Sequence, residues 1–337
     1  MATTVNNAFS EFLADTVRLD PDRTKTAKAS RDWLIEEIKK FPDDGTFPPL
    51  HPDVYIEYGS FPRKTKIRPL DDIDLMFILH AQAATYLDNI GSISVYNSGN
   101  SKFFSDLCFD GTNQMNSIKL INRFKEYLAA IPQYKHADIK RNQEAATLEL
   151  QSYEWVYDIV PCFITNSEWD GRTYYIIPDG SGHWKKTDPR IDKKNVLDAQ
   201  AQQEVSVVDV IRLMKYWNGR PVMPSMQSYL LENIVLNYFK AAVRGKWVDI
   251  EVVNCLAYIA EAILYQVPDP KGIQGDLNTL SWEHRNKIRE RALVDHKRAT
   301  DARAFEQQEK MKEAIEKWGE IFGPDFPVYS PQLTSHA

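Results

Sequence analysis

The sequence predicts an α+β protein of two lobes. Three observations predict it: strand-like runs crowd the middle, helical periodicity fills the second half, and the composition is that of a globular chain. Its 337 residues are 43% hydrophobic and 26% charged, a balance that supports a packed core. At roughly 100–200 residues per domain, the length fits one large or two moderate domains. Disordered, collagen-like and small stapled classes are excluded.

Phe9, Phe12 and Leu13 mark a short first helix, and Leu34, Ile35, Ile38 and Phe41 fall at helical spacing over residues 27–41. A Pro- and Gly-rich break over 41–49 ends that section. The runs Val54–Phe61 and Asp72–Leu79 read as neighbouring strands joined by a polar connection, Pro62 to Pro69. Residues 85–113, rich in Asn, Ser and Gly, read as an irregular insertion, and Ile118, Ile121, Phe124, Leu128 and Ile131 predict the next helix. Strands are expected at His136–Arg141, Ala146–Gln151 and Tyr153–Val160, with Pro161 stopping the last near a sheet edge. Asp170-Gly171 and Asp179-Gly180 flank a further β-rich stretch, Arg172–Ile177. From Ser206 the pattern turns helical. Val207, Val210, Ile211, Met214 and Trp217 form one stripe, and helices are expected at 228–242, 250–266 and 280–318. The basic run His284–Arg303 reads as a solvated helix face. The expected domains are 1–205, a core with N-terminal helices; 206–325, a helical lobe; and 326–337, a flexible tail.

Charge and cysteine usage narrow the partners. With 41 basic against 47 acidic residues and a net charge of -6, the chain is a poor candidate for coating long nucleic acid, which needs clustered Lys and Arg. No apolar run approaches the 18 or so residues of a membrane span. The N-terminus lacks the basic and apolar regions of a secretory signal, so a cytoplasmic location is expected. Cys108, Cys162 and Cys255 form neither a disulfide framework nor a zinc motif, and the histidines show no ligand spacing.

The segment that carries chemistry is Gly59-Ser60 followed by Asp72-Ile73-Asp74-Leu75. On a strand Asp72 and Asp74 share one face while Ile73 and Leu75 turn to the core. Two adjacent carboxylates repel unless a cation holds them, and hard oxygen ligands suit Mg²⁺ or Mn²⁺. Gly59 and Ser60 offer a backbone that can approach a phosphate and a hydroxyl that can bind it. A two-metal site for in-line attack at phosphorus calls for a third carboxylate, and Asp158, on the apolar strand of Tyr157-Asp158-Ile159-Val160, is the candidate.

These residues resemble a family. Gly59-Ser60, Asp72-x-Asp74 and Asp158 match the pattern of the polymerase-β-like nucleotidyltransferases, and in particular the cGAS/DncV-like nucleotidyltransferases that make cyclic oligonucleotide signals in bacterial anti-phage defence. The resemblance extends over about residues 50–235. It implies a mixed-sheet nucleotidyltransferase core, a helical C-terminal lobe and a cleft binding two nucleoside triphosphates, ATP and GTP foremost. It assigns Asp72, Asp74 and Asp158 to metal and catalysis, and Ser60, Lys215 and Ser228 to donor phosphates. Tyr229 would stack on the donor base. It also implies regulatory partners, or conjugation through the tail. The loop carries Arg63 and Lys64 where many relatives have smaller residues, and the scattered cysteines cannot build the zinc insertion of the animal DNA sensors. Two rival readings share the triad: an RNA-tailing enzyme of tRNA or poly(A) type, and a non-catalytic nucleotide-binding or antitoxin-like module.

Overall fold

The computed structural model describes residues 2–89 and 91–331. The chain forms two compact units. The sheet unit is Pro21–Pro62 with Leu70–Arg190; the helical unit is the described part of Met1–Asp20, Arg63–Pro69 and Ile191–Ala337.

Helices in chain order are α1 (Val5–Phe12), α2 (Pro21–Lys39), α3 (Ser117–Ala130), α4 (Pro189–Ala201), α5 (Val207–Asn218), α6 (Ser228–Ala241), α7 (Val248–Ala262), α8 (Trp282–Gln307) and α9 (Met311–Phe322). Strands are β1 (Leu50–Tyr58), β2 (Asp72–Leu79), β3 (Thr85–Asn89), β4 (Ser92–Tyr96), β5 (Asp138–Asn142), β6 (Ala145–Glu149), β7 (Val156–Ile164), β8 (Tyr175–Pro178) and β9 (Trp184–Thr187). Among the described residues they make one mixed sheet, ordered β1-β2-β7-β8-β9-β4-β3, with the β5–β6 hairpin joined along β7. The β2–β7 pair is parallel and its neighbours are antiparallel.

Burial explains the β2–β7 centre. Ile73 and Leu75 are buried while Asp72 and Asp74 are half-buried, and from Leu75 to Leu79 every side chain is inside. Only the first half of β2 alternates. Phe124 of α3 packs edge-on against Phe47 at 5.0 Å, closing the other side of the sheet. In the helical unit α1 is capped by the Thr4 side chain, which accepts from Asn7 N at 3.2 Å. It buries Val5, Ala8, Phe9 and Phe12 on one face, with Phe9 4.8 Å from Trp318 of α9. Among the described residues no helix is long and apolar enough to cross a membrane. All three cysteines are buried and free.

Several features depart from the sequence reading. β7 does not stop at Pro161 but runs on to Ile164. β6 pairs with it only as far as Ile159 and β8 begins at Phe163, so the proline sits where one flank has no partner and a missing N–H costs no ladder bond. Within the expected insertion β3 and β4 pair antiparallel; β3 is exposed throughout, so it carries no hydrophobic alternation to read. The α8 basic run is not only a solvated face: Arg291 and Arg298 each reach Asp295 at 2.8 Å, and that carboxylate is fully buried and also accepts from Trp217 Nε1. Residues 2–20 and 191–205 group with the helical unit. Of the expected tail, Phe326 is buried and Ser330 N donates to Ala2 O at 3.1 Å; residues 332–337 lie outside the described residues.

Candidate active site

The sheet register lines up one row across four strands. Tyr58 on β1 is opposite Asp74 on β2, Asp74 is opposite Asp158 on β7, and Asp158 is opposite Thr147 on β6. Directly opposed residues share a face of the sheet. Asp72, two residues before Asp74, is on the same face, so the structure groups the three sequence-predicted carboxylates. Thr147 Oγ1 donates to Asp158 Oδ1 at 2.8 Å.

Gly59 ends β1 at φ +76°, and a Cβ added there would lie 1.8 Å from Asp74 Oδ2. Glycine is required here because the backbone turns left-handed and passes against a carboxylate, a nearer cause than the phosphate approach inferred from sequence. Ser60 follows it at the end of the strand.

Negative charge is concentrated in this row. Burial pushes the Asp158 carboxyl above its ordinary range; the Thr147 hydrogen bond opposes that, and the charges of Asp72 and Glu144 add to it. Burial, with Asp74, Asp158 and Glu144 close by, also drives the Tyr58 hydroxyl well up. Glu144 is a fourth carboxylate that the sequence reading missed; it stands in the β5–β6 turn and ion-pairs with Lys185. Among the described residues no three His, Cys, Asp or Glu side chains are gathered as a ready metal cage. The donor set is nonetheless all oxygen. That fits Mg²⁺ or Mn²⁺, which take one or two carboxylates and fill the remaining positions with water and substrate phosphates.

The other predicted residues lie in the helical unit. Lys215 on α5 is buried, its Nζ donating to Glu232 Oε2 at 2.7 Å and to Thr65 O at 3.2 Å. Glu232 on α6 also accepts from Arg63 Nε at 2.7 Å and Thr65 Oγ1 at 2.9 Å. Burial pushes the Glu232 carboxyl up, but the facing charges of Arg63 and Lys215 outweigh it and hold it down to about 2. Ser228, the first residue of α6, is exposed and Tyr229 is half-buried. The Tyr229 hydroxyl donates to Asp192 Oδ1 at 2.6 Å, and Lys271 Nζ lies 4.2 Å from its ring centroid, covering one face. Asp192, Glu232 and Lys271 become visible only once the chain is folded, since they come from three separate elements.

No protein-family model matches the chain. The fold matches CdnC of E. coli MS115-1, solved with ATP, at a TM-score of 0.70 and 15% identity, covering 96% of this chain and 98% of that one. It also matches the Vibrio cholerae DncV cyclic AMP-GMP synthase, a prokaryotic cGAS homologue, at a TM-score of 0.66 and 12% identity, covering 97% of each. The fold is therefore the one these two proteins share. A probable cyclic nucleotide synthase of Bacillus cereus is 43% identical over 332 residues, spanning 98% of this chain and 99% of the relative. The chain belongs to the cGAS/DncV-like nucleotidyltransferases and is an enzyme of cyclic nucleotide synthesis.

Proposed function

We propose that the protein joins nucleoside triphosphates, ATP and GTP foremost, into a cyclic di- or trinucleotide with release of pyrophosphate, as a cytoplasmic signal in bacterial anti-phage defence. The observation that carries this reading is the cross-strand row in which Asp74 and Asp158 stand side by side with Asp72 on the same face. Mg²⁺ or Mn²⁺ held by Asp72, Asp74 and Asp158 would supply the positive charge that a triphosphate and its leaving pyrophosphate demand. Asp158, whose proton affinity is raised, accepts the proton of the acceptor ribose hydroxyl. The ribose oxygen bonds to the α-phosphorus as the bond to the departing pyrophosphate oxygen breaks. A second transfer with the roles exchanged closes the ring.

The remaining assignments come from the family pattern. Gly59 lets the chain turn beside Asp74, Ser60 and Ser228 offer hydroxyls to phosphate, and Lys215 offers an ammonium whose place is set by Glu232. Tyr229, with its hydroxyl held by Asp192 and Lys271 over its ring, is the aromatic that would stack on the donor base. CdnC has also been solved with a HORMA protein, which favours a protein partner as the regulator here too.

Incubation with labelled triphosphates and Mg²⁺, without primer, tests the reading. Small phosphatase-resistant products support it, and mass spectrometry gives bases and ring size. A strict requirement for added RNA would point to a tailing enzyme. Triphosphate binding with no product in the unaltered protein would point to a non-catalytic module.

A further inference from the structure

We propose that Lys64 is a contact for the triphosphate of the nucleotide substrate, presented by a loop that Glu232 clamps from within; the proposal rests on the nucleotidyl-transfer reading above. The loop Arg63–Pro69 follows Gly59-Ser60 in the chain, and it is fixed on both sides of Lys64. Arg63 and Thr65 both bind the Glu232 carboxylate, at 2.7 and 2.9 Å, and Glu232 is only 2% exposed. Further along, Arg68 N donates to Val17 O and Arg68 NH2 to Ala14 O, each at 3.1 Å. Arg212 Nε donates to Lys66 O at 3.2 Å. The loop is thus tethered to α5, α6 and the segment after α1.

Lys64 differs from its neighbours in every respect. It is exposed, its φ is +61°, and among the described residues no hydrogen bond or ion pair holds its ammonium. A positive φ is strained for a side chain with a Cβ and free for glycine. The backbone would therefore prefer glycine at this position. What the lysine offers in return is charge: an ammonium with no protein partner, held on a loop whose flanking side chains are locked. Strain kept in place by surrounding anchors is a feature from which a functional role can be inferred. The chemistry it suits is a polyanion, and the phosphates of the substrate class already assigned are the polyanion at hand.

The test compares Lys64→Gly with the unaltered protein. Binding of unreactive α,β-methylene analogues of ATP and GTP is read by calorimetry, and thermal stability by melting. Lys64→Gly relieves the strain, so its melting temperature should equal or exceed that of the parent, while the analogue Kd and the substrate KM rise about tenfold, as for one lost charge-assisted contact. The kcat should hold, Lys64→Arg should restore binding, and the difference should shrink as salt rises. Unchanged Kd in Lys64→Gly overturns the proposal, as does weaker binding accompanied by a lower melting temperature. Glu232→Gln tests the clamp: trypsin should cut after Lys64 faster than in the parent. Unchanged cleavage overturns the clamp. If Glu232→Gln does not fold, Thr65→Val serves the same comparison, with the same outcomes. Because binding is read with unreactive analogues, absence of cyclic product would count against the reading of the reaction and leave the Lys64 result intact.

Discussion

The carboxylate row of the sheet unit and the ion cluster of the helical unit gather charge by opposite means. In the sheet, three aspartates are brought together by strand register, and Asp158 is pushed up by burial first and by the charges of Asp72 and Glu144 after it. In the helical unit, Arg63, Lys215 and Glu232 come from a loop and two helices, the two cations sharing one buried carboxylate. The first arrangement gathers carboxylates of one sign on one face of the sheet; the second pairs opposite charges inside the fold. Strand register can collect like charges for chemistry, whereas buried ions of opposite sign are tolerated because they are paired.

The contrast can be broken at its strongest point first. Asp74→Asn keeps the shape and removes one charge from the row; cyclic product should fall by at least about a thousandfold in kcat, with the fold intact by circular dichroism and triphosphate binding measurable. Retained turnover would mean that the row is not the reacting centre. Next comes Gly59→Ala, whose Cβ would meet the Asp74 carboxylate at 1.8 Å. Displacement of about an ångström at a reacting group costs on the order of a hundredfold, so kcat should drop by about that much while the helical unit's own packing is untouched.

The third prediction probes the buried ion cluster through pH. Glu232 is held down to about 2 from an ordinary value of 4.5, so its stabilising effect is complete above about 4.5 and drains away as pH falls toward 2. Acid unfolding should thus lose a few kcal/mol over that window, and Glu232→Gln should flatten that part of the curve. A variant with the same acid slope as the parent would sink the assignment. The smallest effect is expected at Thr147, whose hydroxyl holds Asp158 at 2.8 Å. Thr147→Val should lower kcat about tenfold, the value of one hydrogen bond to a charged group, and Thr147→Ser should recover most of it.

How much of this was legible follows from how far each feature depends on distant chain. The β1–β2 neighbours and the shared face of Asp72 and Asp74 were readable because a period of two is local. The stripe of α5 was readable for the same reason. Thr147 was not, since nothing in Ala145–Glu149 says which residue will face Asp158 until β6 and β7 pair. Pro161 misled because the rule about proline concerns a hydrogen bond that this position does not have to make. Lys215 was singled out from its helix motif, but its partner Glu232 is contributed by another helix and Thr65 by a loop 150 residues away. Lys271 reaches Tyr229 from a loop with no periodicity at all.

The helical unit is assembled from three separate stretches of chain, and this bears on how the molecule is made. Phe9 and Phe12 emerge from the ribosome first, yet Phe9 rests on Trp318 and Phe12 on Phe322. At about 5–20 residues per second, those rings wait some 15–60 s for their partners. During that interval an apolar helix face is open to solvent and to whatever chaperone the cell supplies. Synthesis speed and holdase capacity are therefore expected to govern the yield of folded enzyme more than the finished structure's stability does.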